Sequence, residues 1–165
     1  MHIRLLKIAT FLAAAALCVA LPIYGFARAD DGIIHIKSAY SMGETITRLE
    51  RDIETKGIMF FAAIDQSKLA ADAGIELRPS TLLIFGNPML GTQFITADPD
   101  AGLDWPVRLL VTREANGEVW LAYTDFAWIA RRHGIDGRDA QFKMASEVIA
   151  SITASVAAAG RSSGS

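Results

Sequence analysis

Cysteine is almost missing from this chain, and where the one copy stands matters. Cys18 is the single cysteine in 165 residues, and it lies in an apolar N-terminal stretch. A domain that begins beyond that stretch has no disulfide, no thiol nucleophile, no Cys-ligated metal and no thioether-linked haem. Histidine is also scarce, with His2, His35 and His133 only. No paired-His spacing and no glycine-rich phosphate loop occurs, so a metal site would need mostly carboxylates, and neither metal nor cofactor is expected. Gly-x-Ser-x-Gly is absent, and Ser41 and Ser80 stand where caps and turns need a hydroxyl. A basic run is missing too: 16 Lys and Arg face 18 Asp and Glu. That balance argues against nucleic acid and against anionic membrane surfaces as partners.

What is present begins with an export pattern. Arg4 and Lys7 open the chain, Ile8 to Leu21 carry no charge, and the small residues Ala27 and Ala29 follow. Charge, a short apolar segment and an Ala-x-Ala end make up a secretory signal. Residues 1–29 are therefore expected to be removed after Ala29. Pro22 and Gly25 interrupt the apolar segment, which disfavours an uncleaved anchor. Leu17 before Cys18 disfavours lipidation. Cleavage removes Arg4, Lys7 and Arg28 and leaves 13 basic against 18 acidic residues, a net charge of −5 on 136 residues. That length suffices for one hydrophobic core. A periplasmic or secreted location follows, with no stable membrane anchor.

Residues 30–156 read as one domain, and 157–165, rich in Ala, Gly and Ser, as a disordered tail. Ile33 to Tyr40 alternates as a strand. Ser41 and Glu44 have capping-box spacing, and Met42, Ile46, Leu49 and Ile53 recur at helical spacing up to Gly57. Ile58 to Ile64 is a second strand, and Asp65 can cap a short helix ending near Gly74. Thr81 to Phe85 is a continuous apolar run, suited to a central strand or one buried on both faces. Gly86-Asn87-Pro88 breaks it, and Met89 to Asp104 reads as a short helix and a loop. Val107 to Thr112 and Val119 to Thr124 flank Asn116-Gly117, a hairpin signal. Asp125 opens a short helix ending near Gly134, and Asp139 to Ala157 carries the last helical stripe. The sum is an α+β domain: a mostly antiparallel sheet of about five strands with helices on one face.

Three stretches carry a resemblance to a known family. They are Leu82 to Pro88 with Gly91-Thr92, Leu103 to Arg108, and Trp120 to His133 with Tyr123, Asp125 and Arg132-His133. In order and spacing they resemble the domain-of-unknown-function 302 family, from about Tyr40 to Ile135. The resemblance implies a fold similar to the TATA-binding-protein-like fold and implies no activity, because fold does not carry function. Two departures stand out: Gln66 follows Asp65 where members often have His, and Met89 follows Asn87-Pro88 where Lys is often seen.

Two groups of residues offer chemistry. Gly86 and Asn87, at the end of a buried strand, let backbone approach a ligand and present both donor and acceptor; a plain turn explains the same residues. Trp105 beside Pro106 can form a pocket lip or a subunit contact, and Tyr123 completes this ligand-binding set. Asp104, Asp125 and His133 supply two carboxylates and an imidazole for acid–base work. Capping roles for Asp125 and His133 and a turn role for Asp104 explain them first, without any chemistry. The aromatics Phe60, Phe61, Phe85, Trp120, Phe126 and Trp128 fit core positions first and a pocket lining second. The expectation is a non-catalytic module that binds a small molecule or self-associates as a homodimer. The alternative is a hydrolase- or lyase-type enzyme built on the Asp/His cluster.

Overall fold

The computed structural model describes residues 31–158. The expected signal segment and the tail beyond Ala158 lie outside them.

Most elements start where a side chain satisfies the free amides of a helix, or where the apolar period changes. Strand β1 spans Ile33–Lys37, three residues shorter than the alternation suggests. Ser41 then caps α1, Met42–Thr55, by accepting from the Glu44 amide. The reciprocal half of the capping box does not form, because the Glu44 carboxylate pairs with Arg48 one turn on. Thr45, Leu49 and Ile53 make the buried stripe of α1, and Gly57 leaves it with φ +68°, open only to a residue without Cβ strain. Strand β2 is Met59–Asp65, with a register shift between Phe60 and Ala62. Asp65 ends it and caps α2, Gln66–Asp72, by accepting from Lys68 N–H at 2.9 Å.

Strand β3, Ser80–Gly86, alternates more than its composition suggests. Thr81, Leu83 and Phe85 are buried, whereas Leu82 and Ile84 are half-buried. The reason is that helices cover one sheet face only. Asn87 caps α3, Pro88–Ala97, and a short 3-10 turn over Pro99–Leu103 follows. Strands β4, Val107–Arg113, and β5, Val119–Thr124, form the expected hairpin, with Gly117 at φ +85°. Asp125 caps α4, Phe126–Arg132, and α5 runs over Asp139–Ala154.

The sheet order is β1-β5-β4-β3-β2, antiparallel at every pairing. Leu83, Leu109, Val111 and Leu121 from its inner face meet Leu49 and Ile53 of α1 and Phe142, Ile149 and Ile152 of α5 in one cluster. The chain stays paired past the expected domain end at residue 156. Ala157 bridges to Ser38, and Ala158 N–H donates to the Lys37 carbonyl at 2.8 Å. The backbone of β1 takes them up as a further short pairing, so the first two residues of the expected tail are ordered.

Candidate functional site

The strand–helix junction after β3 and the segment before β4 build one wall of a cleft. Asn87 accepts from the Met89 amide at 2.9 Å through its side-chain oxygen, and Pro88 takes the first helical position, where no N–H is needed. The Gly86-Asn87-Pro88 stretch is thus a helix start rather than a free-standing turn. Trp105, in the Asp104–Pro106 link, lays its indole across this junction. A methyl group at Gly91 would overlap the ring, and one at Gly86 would approach Nε1 to 3.0 Å. Both glycines are therefore fixed by the indole, not by backbone twist. The Phe61 ring stands nearly perpendicular to the indole, with centroids 6.2 Å apart and planes at 81°.

Behind Trp105 opens a cleft of about 390 Å³ between the sheet end, α3 and α5. Phe85, Phe94, Val107 and Phe126 form its floor, and Met144 and Val148 of α5 one wall. Polar groups are few: Lys56, Asn87, Glu147 and Ser151 reach its lining. Lys56 is held by both carboxylate oxygens of Asp52, at 2.7 and 2.8 Å. Of the expected ligand set, Gly86, Asn87 and Trp105 come together here. Tyr123 does not; it packs against the core from β5. Burial pushes its phenol above the ordinary value of 10.0, and the Asp125 carboxylate adds to this. Among the aromatics, Phe60 and Trp128 pack against the core, Phe61 is exposed, and Trp120 is half-buried on the outer sheet face.

Asp104 and His133 do meet, with His133 Nε2 2.7 Å from Asp104 Oδ2. Two arginines join them. Arg132 Nη1 donates to both oxygens at 3.1 and 3.3 Å, and Arg108 Nη2 donates to Oδ1 at 3.1 Å. The Asp104 side chain is 3% exposed and that of His133 6%. Asp125 stands apart as the α4 cap, accepting from Ala127 N–H at 3.2 Å. The space beside this cluster is about 10 Å³, enough for roughly one water. A carboxylate saturated by three donors, with no room for a substrate, acts as a fastener between β4 and α4. Sequence reasoning missed both arginines. The four-residue step from Asp104 to Arg108 was visible, but nothing local announced that Arg132 would return to the same carboxylate. Gln66, where His was often expected from the family, accepts from the Ser80 hydroxyl at 2.7 Å. Among the described residues, no three His, Cys, Asp or Glu side chains gather as a metal site would require.

With that geometry established, comparison with known proteins adds three findings. A family model described as domain of unknown function DUF302 matches residues 34–159, a longer span than the three motif stretches cover. A crystal structure of an uncharacterized conserved DUF302 protein from Bacillus stearothermophilus superimposes with a TM-score of 0.69 at 16% identity. It covers 76% of this chain and 98% of that one, and it speaks for the fold alone. Proteins described as fluoride-specific ion channels, FluC 1 of Brucella suis biovar 1 and FluC 2 of Brucella melitensis biotype 1, are each 38% identical over 106 residues. That segment is 64% of this chain, and it spans only 42% and 39% of the two relatives.

Two outcomes are expected. Asp104→Ala leaves the buried His133 ring without its carboxylate partner and lowers stability by about 2–3 kcal/mol in urea unfolding, since bonds to charged groups are the strong ones. An unchanged midpoint would show the fastener to be dispensable. For Tyr123, the folded phenol ionises later than the unfolded one, so its contribution is fully present below about pH 10 and is lost as pH rises further. Alkaline melting curves should show a loss for the parent that Tyr123→Phe reduces.

Proposed function

We propose that this chain, which belongs to the DUF302 family, is an exported, non-catalytic module that binds a small, mainly apolar molecule in the Trp105 cleft. The cleft carries this reading: about 390 Å³, an aromatic and aliphatic floor, and a few polar groups at the lining are the proportions of a small-molecule site. Asn87 and the Lys56–Glu147–Ser151 side would orient a polar end of the ligand, while the body lies against Phe85, Phe94 and Phe126. Export is supported by Arg4 and Lys7, the uncharged Ile8 to Leu21 and the Ala27-x-Ala29 end. Among the described residues, no helix is long and apolar enough to cross a membrane. Against the hydrolase or lyase reading stand the saturated Asp104 carboxylate, the separate Asp125 and the narrow space beside Asp104.

The partial likeness to proteins named as fluoride-specific channels favours one second reading, an accessory module that serves a membrane channel and meets its small anion. The match spans about two-fifths of those relatives, so channel activity itself has no support in this chain.

Thermal shift on the purified protein separates the two. A panel of medium-chain fatty acids, fatty alcohols and sodium fluoride is titrated against the parent and Val148→Trp, which fills the cleft. At a hundredfold excess over Kd an apolar ligand should raise Tm by roughly 10 °C, and Val148→Trp should abolish the rise. Stabilisation by fluoride, unaffected by Val148→Trp, would favour the second reading; no shift by any chain-bearing compound would sink the first.

A further inference from the structure

The inner face of the sheet has its helices, and the outer face has none of comparable weight. Directly paired residues place Ile64, Leu82, Leu110, Ala122 and His35 in one row across all five strands on that outer face. Ala62 and Ile84 stand on one side of the row and Trp120 on the other. Leu82, Ile84, Leu110 and Trp120 are only half-buried, unlike the inward Leu83, Leu109 and Leu121, which are fully buried. Helix α2 reaches one corner, where Gln66 meets Ser80, and it buries no residue of its own.

Charge narrows what can cover this face. The outward positions of all five strands hold no acid, although the chain has 18. Their two cations are both paired at the margin, Lys37 with Glu118 and Arg108 with Asp104. A bilayer with anionic lipid would need unpaired cations and protruding apolar groups. This surface lacks the first: its strand cations are paired within the chain, and its exposed apolar residues, Ile33 and Met59, sit on the two edge strands. An apolar face with a neutralised rim meets a copy of itself without like-charge repulsion.

We propose that the outer sheet face is a homodimer interface, two sheets packing face to face across the Leu110 row. Sheets stack at about 10 Å with side chains interdigitating. Five strands about 4.8 Å apart and about 20 Å long give roughly 500 Å² per copy. Two faces remove about 1,000 Å² in total, the lower bound for a specific interface, so the dimer is of modest affinity. This inference is independent of the Trp105 cleft, which opens on the helix side.

Sedimentation velocity on the purified protein, from micromolar to several hundred micromolar, tests it. The expected result is a reversible dimer that Leu110→Lys and Leu82→Lys each weaken at least about tenfold while circular dichroism and Tm stay near the parent's. A monomer at every concentration overturns the proposal, as does a dimer that both lysines leave intact. Should the lysine variants fail to fold, Ala122→Cys in a Cys18→Ser background decides: a bismaleimide should cross-link the dimer through position 122. A natively melting Ala122→Cys protein without that cross-link contradicts the proposal. So does a monomer that instead co-sediments with phosphatidylglycerol vesicles, which would make lipid the occupant of this face.

Discussion

Asp104 ties the segment before β4 to the end of α4, accepting from Arg108, Arg132 and His133 at one buried carboxylate. Its side chain is 3% exposed, and an isolated carboxylate at such depth would cost several kcal/mol in lost hydration. Three donors offset that cost: Arg108 from β4, and Arg132 and His133 from the end of α4. Because Trp105 is the next residue, the same clamp sets where the indole begins. The indole in turn covers Gly91 and Gly86 and closes one side of the cleft. A carboxylate read as a catalytic candidate thus has a positional consequence, since fastening Asp104 keeps the cleft wall in place.

The caps were legible from short-range spacing alone. Ser41, Asp65 and Asp125 each sit one residue before an apolar helical period, and each accepts the amide that such a cap should accept. The Asn116-Gly117 hairpin is equally local, because two adjacent residues dictate the turn. Asn87 was harder. Gly, Asn and Pro in sequence describe a turn and a helix start alike, and only the following ten residues distinguish them. Glu44 shows a different limit: capping-box spacing puts its carboxylate near the Ser41 amide, but Arg48 one turn away offers a charged partner.

The site was less legible than the fold, for a physical reason. Helices and strands follow from periods of a few residues, whereas a cleft is a product of sequence-distant packing. Lys56, Asn87, Trp105 and Val148 share one cavity across more than ninety residues of chain. Tyr123 was expected among them, yet β5 directs it into the core nearer the sheet's β1 side. The likeness to the Bacillus structure, at 16% identity, supports the same architecture without naming any ligand. Two surfaces therefore remain for function, one concave beside the helices and one apolar on the opposite sheet face, and they make separate demands on partners.

The central claim is that binding belongs to the Trp105 cleft while the Asp104–His133 pair is structural. Amide and indole NMR shifts, followed as dodecanoic acid is titrated into the labelled protein, test it most directly. The account predicts saturable shifts at the Trp105 indole N–H, Leu90 and Val148, with Arg108 and His133 unmoved. Shifts centred on His133 and Arg108, with Trp105 silent, would contradict it.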